Sequence, residues 1–138
     1  MIREFSAGGV VVRRMEGRPF VVVVRVRDAI LALPKGHPNG DESAAATARR
    51  EVREETGVEA ELVEKLGDIR YWYARSGKRV LKSVSFFLLR YRSGDVADHD
   101  HEVEEALWIP LEEARERLAY KGERQMAESA LSRLAEGR

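Results

Sequence analysis

Between Gly36 and Val58 the chain reads GHPNGDESAAATARREVREETGV, a glycine-rich turn running straight into a charged helix. Asp41 or Ser43 can accept from the first helical amides, the residues that follow are good helix formers, and Gly57 suits a left-handed helix end. A helix reaching about Thr56 turns by about 100° per residue, which gathers Ala45, Ala48, Val52 and Thr56 into a narrow stripe able to lie close against a sheet. The same period places Glu51, Glu54 and Glu55, at i, i+3 and i+4, on one face at the edge of that stripe. Carboxylates held so close repel one another. The segment therefore constrains fold and chemistry together: its helix must pack on a sheet while its acidic edge meets something positive.

The remaining chain supplies the sheet. Val10–Val12 and Phe20–Val24 are β-branched runs around the polar turn Met15–Pro19, expected to form a hairpin or neighbouring strands with both faces largely covered. Ile30–Leu33 is a third apolar piece, and a loop is expected from Pro34, because a residue before proline is pushed to extended geometry. Glu61–Ala74 and Lys82–Tyr91 read as strands around a Ser76-Gly77-Lys78 turn, Ser93–His101 as a polar loop, and Ala106–Ile109 as a closing strand. Leu111–Leu118 and Glu123–Leu134 are amphipathic helices, the second with Met126, Ala130, Leu131 and Leu134 as its stripe. With no repeat, low-complexity stretch or long linker, the expectation is one α/β domain over residues 1–138, a mixed sheet flanked by helices. Its strand connectivity stays open.

Composition narrows the function classes. The 24 basic and 24 acidic residues cancel, so no global charge draws the chain to nucleic acid or to a membrane surface, and neither is expected as a partner. A local basic patch can still hold a phosphorylated small molecule. No cysteine is present, which excludes disulfides, thiolate metal ligands and a cysteine nucleophile, and fits a cytoplasmic location. The N-terminus becomes charged at once and is not expected to be a signal peptide, and the apolar runs are too short to span a bilayer. Homodimer formation is left open.

Oxygen-only ligands at this spacing suit Mg²⁺ or Mn²⁺, which keep several waters and bridge to phosphate oxygens. At the other end of the segment Lys35, Gly36, Gly40 and the first amides of the helix offer an anion-binding turn. Together the two ends suggest cleavage of a phosphoanhydride, with the metal neutralising phosphate and activating water. A solvated acidic helix paired to Arg49, Arg50 and Arg53 is the competing structural reading.

The complete segment resembles the signature of the Nudix hydrolases, with Gly36, Glu42, Arg50, Glu51, Val52, Glu54, Glu55, Gly57 and Val58 at its fixed places. The resemblance implies a Nudix-type α/β/α sandwich and hydrolysis of a nucleoside diphosphate linked to another moiety, using Mg²⁺ or Mn²⁺. It implies Glu51, Glu54 and Glu55 as metal ligands, with Gly36 completing the set, and one of the glutamates orienting or deprotonating water. Arg50 would hold a metal-binding glutamate in place, and Glu42 would steady the junction of loop and helix. In some relatives a late-loop carboxylate contributes. Glu102 and Glu104 are the candidates here, expected by alternation on the same side, with Glu102 preferred. His99 and His101 carry no assigned role.

Leu33-Pro34-Lys35-Gly36-His37 looks like the form found in the branch acting on diadenosine polyphosphates and, in some relatives, diphosphoinositol polyphosphates. In that reading Lys35 contacts phosphate beside Gly36, and His37 lies near the polyphosphate chain. Gly40-Asp41 stands before Glu42 where relatives commonly have Pro-Gly, and no aromatic precedes Leu33 closely. A stacking partner for a base must come from Tyr71, Trp72, Tyr73 or Tyr120, with Tyr73 taken as the site residue. Arg79, in the basic stretch Arg70, Arg75, Lys78, Arg79 and Lys82, would meet phosphate. ADP-ribose and oxidised nucleoside triphosphates are the competing substrates, and a catalytically silent nucleotide-binding domain is the competing class. Turnover dependent on Mg²⁺ or Mn²⁺ is expected to collapse in Glu54→Gln, and normal phosphate release by that variant would remove the metal assignment.

Overall fold

Two hairpins with two-residue turns build most of the sheet. In the computed structural model, which describes residues 1–138, β1 (Ile2–Met15) and β2 (Arg18–Val26) are antiparallel. Further along, β5 (Val58–Arg75) and β6 (Lys78–Gly94) form the second antiparallel pair. Both turn residues are at positive φ in each case, Glu16 and Gly17 at 54° and 78°, Ser76 and Gly77 at 52° and 76°. That geometry matches the right-handed twist of the strands it joins. The expected turns Met15–Pro19 and Ser76–Lys78 are therefore shorter, and the strands longer, than the apolar runs alone imply. Strand pairing satisfies the backbone of polar residues as well as apolar ones, so it continues past the point where hydrophobicity stops.

β6 runs parallel to β1 from Val80 to Arg90, joining the hairpins into one mixed sheet. β1 and β2 stay paired only at their turn end, between Val12 and Val21 and between Met15 and Arg18. Beyond it they separate, and the returning chain fills the wedge. β3 (Ile30–Ala32) pairs with β2, and β4 (Lys35–Gly36) pairs with β1 at Ala7 and Gly8. The expected loop at Pro34 is thus two residues wide, Leu33 and Pro34, before pairing resumes. β7 (Glu105–Pro110) closes the other side of β2.

Alternation along the central strands feeds two cores. Val11, Val22, Phe87 and Leu89 face Ala48 and Val52 of α1 (Ala44–Thr56). On the opposite face Val10, Val21, Val23, Phe86 and Leu88 pack with Leu111 and Ala114 of α2 (Leu111–Arg117) and Met126, Ala127 and Ala130 of α3 (Lys121–Ala135). The result is a sheet between helices, the expected α/β/α sandwich. Ser43 caps α1, its side chain accepting from the Ala46 amide at 3.1 Å, so Ser43 rather than Asp41 is the cap. Gly57 ends the helix at φ 77°, where a side chain would also collide with the loop carrying Asp95 and Asp98.

Gly8 lets β4 approach β1. A Cβ there would overlap the Pro34 carbonyl oxygen and lie 2.7 Å from Lys35 Cβ and 2.9 Å from Phe86 Cε1. Backbone and an aromatic ring cannot both yield, so Gly8→Ala should destabilise the fold by about 1–3 kcal/mol, the usual cost of overpacking, measured by urea unfolding.

Candidate functional site

Arg50 organises the acidic edge of α1. It lies one turn before Glu54 and next to Glu51, and its guanidinium uses every N–H it has. Nε and Nη2 grip Glu42 in bidentate fashion at 3.0 Å each, and Nη2 also donates to the His37 carbonyl at 2.7 Å. Nη1 donates to Glu51 at 2.8 Å and to Glu54 at 3.1 Å. A planar five-donor group is the one side chain that can collect a loop carbonyl and these carboxylates together. Glu42 in turn accepts from the Asn39 amide and the Thr47 hydroxyl, which ties the glycine turn to the first turn of α1. Arg50 foremost, then those two donors, hold the Glu42 carboxyl down at about 2, so it stays ionised at all ordinary pH.

Glu55 is in the opposite condition. Burial above all, partly offset by the hydrogen bond from the Lys35 amide and reinforced by the charge of Glu51, pushes its carboxyl up to about 8. Burial likewise raises Glu51 against the pull of Arg50. Glu51 lies directly over Gly36, whose missing side chain makes the room: a Cβ on Gly36 would overlap the Glu51 carboxyl. The Glu55 Oε1 accepts from the Lys35 N–H at 3.1 Å, so α1 bonds one residue of β4 and lies close over the other.

These side chains line a cleft of about 570 Å³ that also includes Ser6, Lys35, His37, Asn39, Tyr71, Lys82 and Glu102. The loop bearing Glu102 is docked to the end of α1 by the Asp100 amide, which donates to the Glu54 carbonyl at 3.0 Å. Residues 101–104 form turns and bends, not a strand, so alternation does not apply there. Glu102 reaches the cleft, while the Glu104 amide is drawn to the Arg25 carbonyl at 2.8 Å and its side chain is exposed. The His37 ring turns away from a free role, Nδ1 meeting the Phe5 carbonyl at 3.2 Å and the Ser6 hydroxyl at 3.3 Å. His99 bonds to the adjacent Asp100 carbonyl.

Tyr73 and Arg79 are not brought to the cleft. Tyr73 donates to Glu4, which Arg75 also engages, and Arg79 lies 4.2 Å from the Trp72 ring centroid near the N-terminus. The basic stretch accordingly divides along the twisted hairpin: only Lys82 of it lines the cleft, with Glu4 3.9 Å away. Sequence reasoning named Lys82 only within that stretch and missed Ser6 and Asn39. It also missed Glu123, whose place in the first turn of α3 reads as an ordinary acid near a helix N-terminus. Tyr71, two residues from Tyr73 on the same strand face, is the tyrosine that borders the cleft.

No group of three acidic or histidine side chains closes around a common point in this conformation. Arg50 draws Glu51 and Glu54 aside, and the Lys35 amide holds Glu55. The donor set still fits a hard divalent cation: it is all oxygen, partly buried, and includes a carboxyl that burial keeps from ionising.

The NUDIX domain family model matches residues 3–130. The chain is 42% identical to the "Putative mutator protein MutT4" of Mycobacterium tuberculosis over 94% of its own length and 55% of that relative. It is 32% identical to the "8-oxo-(d)GTP phosphatase" of Mycolicibacterium smegmatis over 76% of its own length and 31% of that relative. It thus spans about half and about a third of these two proteins. Among solved structures it is similar to the Caenorhabditis elegans Ap4A hydrolase binary complex, with a TM-score of 0.79, 24% identity and coverage of 96% of this chain and 98% of that one.

Because the Glu55 carboxyl is raised from its ordinary 4.5 to about 8, the folded state binds more protons than the unfolded state between those values. Stability is full below the unfolded value and is lost as pH rises through the folded one, by about 5 kcal/mol at most. Denaturant unfolding of the metal-free protein at pH 6 and pH 9 should show this loss. Glu55→Gln should flatten it.

Proposed function

The chain belongs to the Nudix family, and on that premise we propose that it hydrolyses a phosphoanhydride bond in a nucleoside diphosphate-linked substrate, with diadenosine polyphosphates as the preferred class. Family members generally require a divalent cation, and Glu51, Glu54, Glu55 and the Gly36 backbone would hold Mg²⁺ or Mn²⁺ here. Bound there, the ion would neutralise phosphate charge and steady the leaving oxygen.

The chain's own residues supply the rest. Arg50 keeps Glu51 and Glu54 at a fixed separation through one nitrogen. A cleft glutamate, Glu54 or Glu102, takes the proton of the attacking water as the water oxygen bonds to phosphorus. The bridging P–O bond breaks, and the departing phosphate keeps its electron pair. Lys35 and Lys82 offset the negative charge of the polyphosphate.

The observation that carries the substrate reading is a second recess of about 730 Å³ that shares Lys35 and Tyr71 with the carboxylate cleft. Tyr71, Tyr120, Ile69 and Phe86 give it apolar and aromatic surface, and Arg70, Lys121 and Gln125 give it polar contacts. Tyr71 and Tyr120 are about half exposed, which leaves ring surface for a base. A nucleotide with its base in this recess would lay its phosphates past Lys35 toward the acidic edge. The name of the M. smegmatis relative favours a second reading, in which an oxidised guanine nucleoside triphosphate takes the same path.

A panel of diadenosine polyphosphates, oxidised dGTP, ADP-ribose and a diphosphoinositol polyphosphate, turned over with Mg²⁺ or Mn²⁺ in ¹⁸O-water, separates these readings and locates the attacked phosphorus. The highest kcat/KM is expected for a diadenosine polyphosphate. Tyr71→Ala should raise KM for that substrate about tenfold, the loss of one aromatic contact. Preference for oxidised dGTP or ADP-ribose would replace the substrate reading and leave the hydrolytic one standing.

A further inference from the structure

We propose that Glu123, in the first turn of α3, is a positioning residue that sets where the Lys35 ammonium stands at the junction of the two cavities. The inference rests on reading that junction as a phosphate site.

Glu123 is only 3% exposed and is the one charged side chain in the molecule buried to that degree. An acid in the first turn of a surface helix can favour the helix dipole while staying in water, so its burial needs another reason. Each carboxylate oxygen has a separate task. Oε1 accepts from the Leu33 amide at 2.7 Å, and Oε2 meets Lys35 Nζ at 2.7 Å. Lys35 Nζ also lies 5.3 Å from the Tyr120 ring centroid, so the ammonium sits between a carboxylate and an aromatic face. An ammonium has three donors, and one bond to Glu123 leaves the others for phosphate oxygens.

The backbone of the same lysine donates to Glu55 from the other side of the sheet. Glu123 thus fixes the side chain of Lys35 and, through Leu33, the path of the backbone that Glu55 holds. A carboxylate can serve both donors. The two donors meet different oxygens, so in the same orientation Glu123→Gln turns an NH2 donor toward either the Leu33 N–H or the Lys35 ammonium and loses that contact.

The test compares Glu123→Gln and Glu123→Asp with the wild-type chain. KM for the preferred dinucleoside polyphosphate should rise about tenfold or more in Glu123→Gln, with kcat changed less than about threefold, because a misplaced lysine weakens binding in ground and transition states alike. Glu123→Asp, which keeps two oxygens, should recover part of the loss. In a Lys35→Met background Glu123→Gln should add no further rise, since the two act as one unit.

Acetylation of Lys35 by acetic anhydride, followed by mass spectrometry against the exposed Lys78, reports the contact without any substrate. A paired ammonium reacts slowly, and its release in Glu123→Gln should speed labelling several-fold. Unchanged Lys35 labelling in the folded variant would overturn the proposal. So would a lowered KM, which would mean that Glu123 merely offsets the attraction of Lys35 for phosphate. If Glu123→Gln does not fold, Glu123→Asp carries the labelling test alone, with faster Lys35 acetylation expected and an unchanged rate overturning the proposal. A wrong substrate assignment would abolish the KM effect and leave the labelling difference intact, so the two failures can be told apart.

Discussion

Two backbone amides at the centre of the molecule, those of Leu33 and Lys35, are satisfied by glutamate carboxylates, and the site is built around them. The chain here fills a wedge between two diverging strands, with Pro34 lacking an N–H and its carbonyl taken by the Gly9 amide at 3.1 Å. Leu33 is served by Glu123 from the α3 side, and Lys35 by Glu55 from the α1 side. A buried amide without a partner costs free energy comparable to a lost hydrogen bond, so neither carboxylate can leave cheaply. Both helices are thereby referenced to the same short run of backbone, and that run carries the lysine and glycine of the cleft.

Charge supplies the second constraint. Glu51, Glu54 and Glu55 crowd one helix edge, and Arg50 answers for only the first two of them. Its remaining donors hold Glu42 and the His37 carbonyl, so it binds the loop to the helix and has nothing left for Glu55. A buried carboxyl in that position responds by resisting ionisation. The cleft is accordingly a place where a further positive charge would relieve an existing strain between burial and repulsion, which is the electrostatic condition of a metal site.

Much of this was legible in the residues. Small side chains at Ala48 and Val52 and the Gly57 end are local signals, and each appears in α1 as local rules require, while of the two cap candidates Asp41 and Ser43 the structure uses Ser43. The acidic face follows from helical period alone. Tyr73 on β5 and Arg79 on β6 went astray for a physical reason: along paired strands of 18 and 17 residues that twist together the direction of a side chain changes progressively, and register irregularities after Glu59, Leu62 and Lys65 alter it further. Choosing among Tyr71, Trp72 and Tyr73 needs the accumulated twist, which no local pattern contains. Glu104 failed differently. Its segment does not alternate, because residues 101–104 turn and bend before β7 begins, and the Glu104 amide makes the bond to Arg25 of β2 that leads into that strand.

The sequence by itself determined the helix, its Gly57 end, its acidic edge and the glycine turn that leads into it, since these depend on contacts a few residues apart. Only the tertiary structure decided that β1 and β2 open to admit Leu33–Gly36, that Lys82 and Tyr71 join the cleft, and that Glu123 lies buried beneath Lys35. Those arrangements link residues as much as ninety positions apart, as Leu33 and Glu123 are. Their partners are chosen by sheet register and by the need to satisfy buried polar groups, and both exist only once the chain has packed.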